Sequence, residues 1–191
     1  MKQLWDGTDK CDFKNGVMYS YHSEPHPSGN MVYHMPLRCL EFAEYVTEHR
    51  NDYKSEPVVI YVTTELTVEE AKVRFYNHGY EDGTMKMRKD VFDIVRVLCT
   101  TRNNIMCDID GIIKGAKEKG KNVVGIFVDE ITDIHEASLA KISLEEDIPV
   151  VIGRHKRRTY NEIVKVPLSC VNNDRLLYTH KNAYDVCTES M

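Results

Sequence analysis

Three apolar runs in this chain each give way to polar chemistry. Val58–Val62 is followed by Thr63, Thr64 and Glu65, Val123–Val128 by Asp129 and Glu130, and Val150–Ile152 by Gly153, Arg154, His155 and Lys156. Set side by side and parallel, such runs would bring two acids and a His/basic group to one edge. That set suits phosphoryl transfer: one carboxylate holds a metal-bound water, another orients the nucleophile, and cations stabilise developing phosphate charge. Each residue also has a plainer reading. Glu65 is well placed to act only through its charge on a helix dipole. Asp129 and Glu130 read equally as solvated loop residues after a strand. His155 reads as an ordinary partner of Glu65 or Asp129.

The elements that must position these residues follow from pattern. Gly16–Tyr21 reads as a short strand, and Ser23–Asn30 as a turn whose two prolines and one glycine forbid regular structure. Leu37–His49 has helical spacing. Val58–Val62, introduced by Pro57, is a β-branched run of the kind buried on both faces of a parallel sheet. Thr67 and Glu70 form a capping box, which predicts a helix stopping near Gly79. Residues 79–89 read as loop, and Val91–Leu98 fits helix or strand equally. Asn104–Lys119 reads as a helix ending at Gly120, Val123–Val128 as a strand, Ile134–Glu146 as a helix and Ile148–Ile152 as a strand. Beyond it, Glu162–Pro167, Arg175–His180 and Ala183–Cys187 read as short strands joined by turns such as Asn172–Asp174. The expected fold is therefore α/β: a mostly parallel central sheet flanked by helices, with a C-terminal antiparallel strand extension. One domain is expected over 1–191, with 16–152 as the parallel core and 153–187 as a basic loop and strands. Ligands in such sheets bind beyond the carboxyl ends of the strands, where the polar residues above fall.

Bulk properties narrow the classes. The 191 residues suffice for one core, and 42% hydrophobic against 29% charged residues is a globular balance. No apolar stretch is long enough to span a membrane, and Met1–Lys10 is polar, so a cytoplasmic protein without membrane contact is expected. Cys11, Cys39, Cys99, Cys107, Cys170 and Cys187 show neither C-x2-C pairing nor zinc spacing and read as reduced thiols. The net charge is −5, yet Gly153–Lys165 sets Arg154, Lys156, Arg157, Arg158 and Lys165 against Glu162 alone. That is a local +4, which leaves −9 on the rest of the chain. One compact basic segment on an acidic body points to a local anionic partner, not to a surface that coats DNA. Tyr19, Tyr21 and Tyr33 around the first turn could stack a base, though core and rim packing is the plainer use.

The order of these segments resembles the RecA/DnaB-type helicase and recombinase ATPase core. Val59–Phe75 looks like the segment of DnaB-type helicases in which a strand ends in the catalytic glutamate and a helix begins, and Glu65 matches that glutamate. Val123–Glu130 looks like a Walker B strand, with Asp129 at the position that holds magnesium through water. Ile148–His155 looks like the following strand, and His155 matches its phosphate-sensing position. The resemblance covers roughly residues 16–180 and implies a RecA-like sheet.

The phosphate-binding loop departs from that family. It requires G-x4-G-K-[ST], whose backbone amides wrap the phosphates while the lysine and hydroxyl hold the terminal phosphate and magnesium. The equivalent stretch is Glu24-Pro25-His26-Pro27-Ser28-Gly29-Asn30-Met31. Of the nucleotide-binding positions, Gly29 survives and Asn30 replaces the lysine. Glu24 would repel phosphate, and Pro25 and Pro27 each remove an amide donor. The implied function is an ATPase-core protein with lost or weakened hydrolysis that acts by binding a replication or recombination partner, such as a replicative helicase or a further copy of itself. No cofactor is expected, with Mg and ATP required only if the site still works. Two alternatives stay open: an active, divergent Mg-dependent NTPase acting on DNA, and a single-stranded nucleic-acid binder that uses Arg154, Lys156, Arg157 and Arg158.

Overall fold

The structure is a computed structural model that describes residues 13–23, 30–81, 84–85, 89–129 and 133–155. Strand β1 (Met18–Ser23) leads to helix α1 (Asn30–Glu48), then β2 (Glu56–Thr63) and α2 (Val68–Gly79). A two-residue hairpin follows, β3 (Tyr80–Glu81) with β4 (Thr84–Met85), then α3 (Lys89–Ile94) and β5 (Val95–Cys99). Helix α4 (Ile105–Glu118), β6 (Lys121–Val128), α5 (Asp133–Glu146) and β7 (Val150–His155) complete the described chain. Five strands make one sheet in the order β1-β7-β6-β2-β5, and every neighbouring pair is parallel.

The strand sequences explain this arrangement. Seven consecutive residues of β2, Pro57 to Thr63, are buried, and so are the last six of β6. Strands buried on both faces need helices above and below, and helical crossovers between parallel strands supply them. Val59, Tyr61, Phe127 and Val151 face one apolar cluster, completed by Leu40, Ala43 and Val46 of α1, Phe75 of α2, and Val91 and Ile94 of α3. Val58, Ile60, Val62, Ile126 and Ile152 face the other, completed by Ile105, Ile109 and Ile113 of α4 and Leu139, Ala140 and Ile142 of α5. Each such aliphatic side chain stabilises the fold by roughly 1.5–3 kcal/mol on full burial.

Local signals set the helix ends. The Thr67 hydroxyl accepts from the Glu70 amide at 3.2 Å, while the Glu70 carboxylate accepts from the Thr67 amide at 2.9 Å, the reciprocal capping box that starts α2. Gly120 ends α4 with a positive φ of 67°, where a side chain would be strained. The Ser143 hydroxyl donates to the Ile148 carbonyl at 2.7 Å and fixes the turn from α5 towards β7.

Four details differ from the sequence-based expectation. Helix α1 begins at Asn30 and holds Pro36 inside it, although Leu37 was the expected start. Pro36 removes one amide and one helical hydrogen bond, and the burial of Met35, Cys39, Leu40, Phe42, Ala43 and Val46 along one face outweighs that loss. Strand β7 continues through Gly153, Arg154 and His155, so these three residues belong to the sheet and not to a basic loop. Val91–Leu98, ambiguous by pattern, is both: the helix α3 abuts the edge strand β5 with no turn residue between. The expected loop 79–89 contains the small antiparallel pair β3–β4. The expected C-terminal strands lie outside the described residues.

One close approach locks the two middle strands to their covering helix. The β2–β6 ladder shifts register between Val58 and Val59, so that Val58 pairs with Val123 and Val59 with Gly125. A Cβ on Gly125 would lie 2.6 Å from Cε1 of Phe42. Phe42 in turn packs against Phe127, with centroids 5.5 Å apart, and Phe13 at 5.6 Å. Gly125→Ala is expected to cost about 1–3 kcal/mol through overpacking, and to lower Tm by about 2–4 °C per kcal/mol. Adding Phe42→Leu should recover part of that loss. Thermal unfolding in which the two effects simply add would show that the ring contact is not the cause.

Candidate functional site

The parallel sheet aligns the carboxyl ends of all five strands, and the residues singled out by their chemistry lie there. Ser23, the last residue of β1, is in register with His155 of β7, so the main chain of His155 lies beside the point where the 24–29 segment departs. Next across the sheet, Val128 of β6 pairs with Ile152 of β7 and Val62 of β2. Asp129 extends the ladder by one bond, its amide donating to the Val62 carbonyl at 3.0 Å. On the far side, the Thr100 amide donates to the Thr63 carbonyl at 3.0 Å. His155, Asp129 and the Thr63–Glu65 turn therefore sit on three adjacent strands at one edge.

The Thr63 hydroxyl shapes the turn that carries Glu65. It is fully buried and accepts from the amides of Glu65 at 3.3 Å and Leu66 at 3.1 Å, which folds the chain from β2 towards α2. Glu65 itself points into an exposed ion pair: Arg102, in the β5–α4 loop, donates to its carboxylate at 2.7 Å. Such a surface pair contributes little stability, but it engages the carboxylate expected to orient a nucleophile.

Asp129 has the opposite surroundings. It is fully buried, and its carboxylate accepts from the Tyr61 hydroxyl at 3.3 Å. Tyr61 is fully buried as well, with its ring edge-on to Phe75 at 4.9 Å. Burial raises the Tyr61 phenol well above its usual range, and the Asp129 charge adds to the effect. Burial also raises the Cys99 thiol, helped by the charges of Asp129 and Glu69.

Magnesium keeps several of its waters in octahedral geometry, whereas the Asp129 carboxylate is enclosed and already receives a tyrosine hydroxyl. Among the described residues, no group of three His, Cys, Asp or Glu side chains is arranged to hold a metal. Asn30 is the first residue of α1, the position that a phosphate loop gives to its lysine. Gly29, Glu130, Lys156, Arg157 and Arg158 lie outside the described residues, and Arg154 and His155 are placed by their backbone in β7.

Sequence reasoning missed Tyr61 and Arg102. Tyr61 stood in the middle of an apolar run and read only as core. The available signal was its hydroxyl, since a tyrosine in a strand buried on both faces needs a hydrogen-bond partner. The nearest polar residue beyond a neighbouring strand is Asp129. Arg102 carried no such signal, because its position depends on β5, which the pattern did not separate from α3. None of Cys39, Cys99 and Cys107 is in a disulfide. No helix among the described residues is long and apolar enough to cross a membrane. No protein-family model and no curated protein matches this chain.

The Tyr61–Asp129 contact has a pH signature. A phenol whose folded pKa is raised contributes stability that is fully present below its unfolded pKa, near 10, and is lost as pH rises through the folded value. Tyr61→Phe is expected to cost about 1 kcal/mol at neutral pH through the lost hydrogen bond. Its deficit relative to wild type should shrink above about pH 10, where wild type alone carries the ionisable phenol. Denaturant unfolding from neutral to alkaline pH measures both. A deficit that stays constant across that range would show that Tyr61 ionisation does not limit alkaline stability.

Proposed function

We propose that this chain is a RecA/DnaB-type ATPase core that has lost or weakened hydrolysis and acts by binding a partner in DNA replication or recombination, such as a replicative helicase. The observation that supports this most is the strand-end edge. It sets the ends of β1, β7, β6 and β2 side by side, with His155, Asp129 and Glu65 at or just beyond them, the order of strand ends expected of such a core. The same edge engages its two acids elsewhere, Glu65 with Arg102 and Asp129 with Tyr61. Between β1 and α1 the sequence carries Glu24, Pro25 and Pro27, where amide donors and a lysine would be required. A core of this shape without its cradle retains a surface and loses its chemistry. Sheet architecture alone does not establish function, so the reading rests on this site.

Calorimetric titration with Mg-ATP, followed by a hydrolysis assay, tests it. The expected outcome is binding weaker than about 1 mM, corresponding to less than roughly 4 kcal/mol, and no turnover. Micromolar affinity that disappears in Asp129→Ala would instead establish the second reading, an active and divergent Mg-dependent NTPase. The retained acids at Glu65 and Asp129 favour that alternative.

A third use of the same chain is contact with single-stranded DNA through Arg154, Lys156, Arg157 and Arg158, supported by the local +4 on an otherwise acidic chain. Arg157→Ala with Arg158→Ala should weaken binding and reduce the log–log salt slope by about 0.7 for each lost phosphate contact. A wild-type chain that does not bind single strands at about 50 mM salt would assign the basic segment to solvent.

A further inference from the structure

Strand β5 closes one side of the sheet, and among the described residues no strand pairs with its outer edge. Its ladder to β2 shows which peptide groups face outward. The Thr100 amide donates to the Thr63 carbonyl, and Thr63 is the register partner of Cys99. In a parallel ladder the peptide groups of alternate residues point to the same neighbour. Thr100, Leu98 and Arg96 therefore turn theirs towards β2, while Val95, Val97 and Cys99 turn theirs out. The outward donors and acceptors sit on a strand, Val95-Arg96-Val97-Leu98-Cys99, in which Arg96 carries the sole charge. A row of that kind is a template on which another strand can add.

Arg96 is exposed, yet its guanidinium folds back onto the main chain. Nη1 donates to the Asp93 carbonyl at 2.7 Å and to the Val95 carbonyl at 3.0 Å. The first bond serves the end of α3, as basic side chains do at helix C-termini. The second takes the first outward acceptor of the sheet edge. We infer that Arg96 guards this edge against strand addition by a second copy of the chain. Two β5 strands brought together antiparallel about a two-fold axis at Val97 set Val95 of each copy opposite Cys99 of the other. The Cys99 amide then has to donate to the Val95 carbonyl, the acceptor that Arg96 holds, and the two-fold repeats the conflict. Approach also brings a guanidinium charge from each copy to one short joint, where a charged side chain on an edge strand opposes pairing.

This role does not depend on the nucleotide reading, since β5 lies at the opposite side of the sheet from β1. Analytical ultracentrifugation of the full chain from about 1 to 200 µM in reducing buffer tests it, because self-association follows concentration. Arg96→Ala is expected to self-associate at least about tenfold more tightly than wild type, with native circular dichroism retained. Adding Cys99→Pro should return it to the wild-type profile. That proline deletes the amide that would meet the Val95 carbonyl, and because the amide faces outward the ladder to β2 keeps its bonds. Lys114→Ala, which removes one exposed positive charge from α4 instead, should sediment as wild type does. An Arg96→Ala chain that sediments like wild type overturns the inference. Association that Cys99→Pro does not reverse, that Lys114→Ala reproduces, or that comes with loss of the native circular dichroism overturns it as well.

Discussion

Everything in this fold depends on the pairing of β2 with β6. Both strands are apolar on both faces, so neither can lie at a surface, and each needs a parallel neighbour and helices above and below. The register shift between Val58 and Val59 sets Gly125 beneath the Phe42 ring, which fixes how closely α1 approaches the sheet. Once the two strands are paired, their ends are aligned as well. Val62 and Val128 are register partners, so the residues that follow them, Thr63 and Asp129, must emerge side by side. The candidate site is a consequence of that alignment.

The alignment also explains why the two acids behave differently. Asp129 continues the central ladder and is held by the Val62 carbonyl before the chain can leave the sheet, so its side chain stays within the layer that holds Tyr61. Glu65 lies two residues past the end of β2, after a turn that Thr63 closes, and reaches the surface, where Arg102 meets it. One strand residue more or less decides between a buried carboxylate and an exposed ion pair. Their electrostatic worth differs accordingly, small for the screened pair and large for a charge within the core.

Most of the sheet was legible because buried parallel strands write an unbroken β-branched run, as in Val58–Val62 and Val123–Val128, and because Thr67 with Glu70 marks a helix start at the level of single residues. The edge strand β5 was not legible. Val95–Cys99 follows α3 without a glycine, proline or turn, and its half-buried pattern has no distinct period. The start of α1 was hidden by Pro36, whose local penalty is plain in the sequence while the packing that offsets it is tertiary. At the site, the sheet edge shared by Glu65, Asp129 and His155 followed from the strand order. The partners that occupy the acids did not, since Tyr61 reads as core and Arg102 depends on β5. Residue type announces that a carboxylate is present, but only three-dimensional packing determines which donor reaches it first.

That last point bears on what the strand-end edge can do. A fully buried carboxylate is costly unless donors compensate it, and an apolar residue at the end of β6 would avoid the cost. Here one donor is the Tyr61 hydroxyl, which meets Oδ2 and is itself buried and held neutral by the same burial and by the Asp129 charge. Each group makes the other tolerable: the tyrosine hydroxyl needs an acceptor inside the layer, and the aspartate needs a donor. The contact joins the hydroxyl to Oδ2 of the carboxylate, inside the layer between the sheet and its covering helices. A cation seeking Asp129 would have to open an enclosed layer. On the proposed reading, the phosphate cradle is lost while Asp129 keeps a donor within the sheet. A buried acid at a strand end needs a donor, and here a neighbouring strand supplies one.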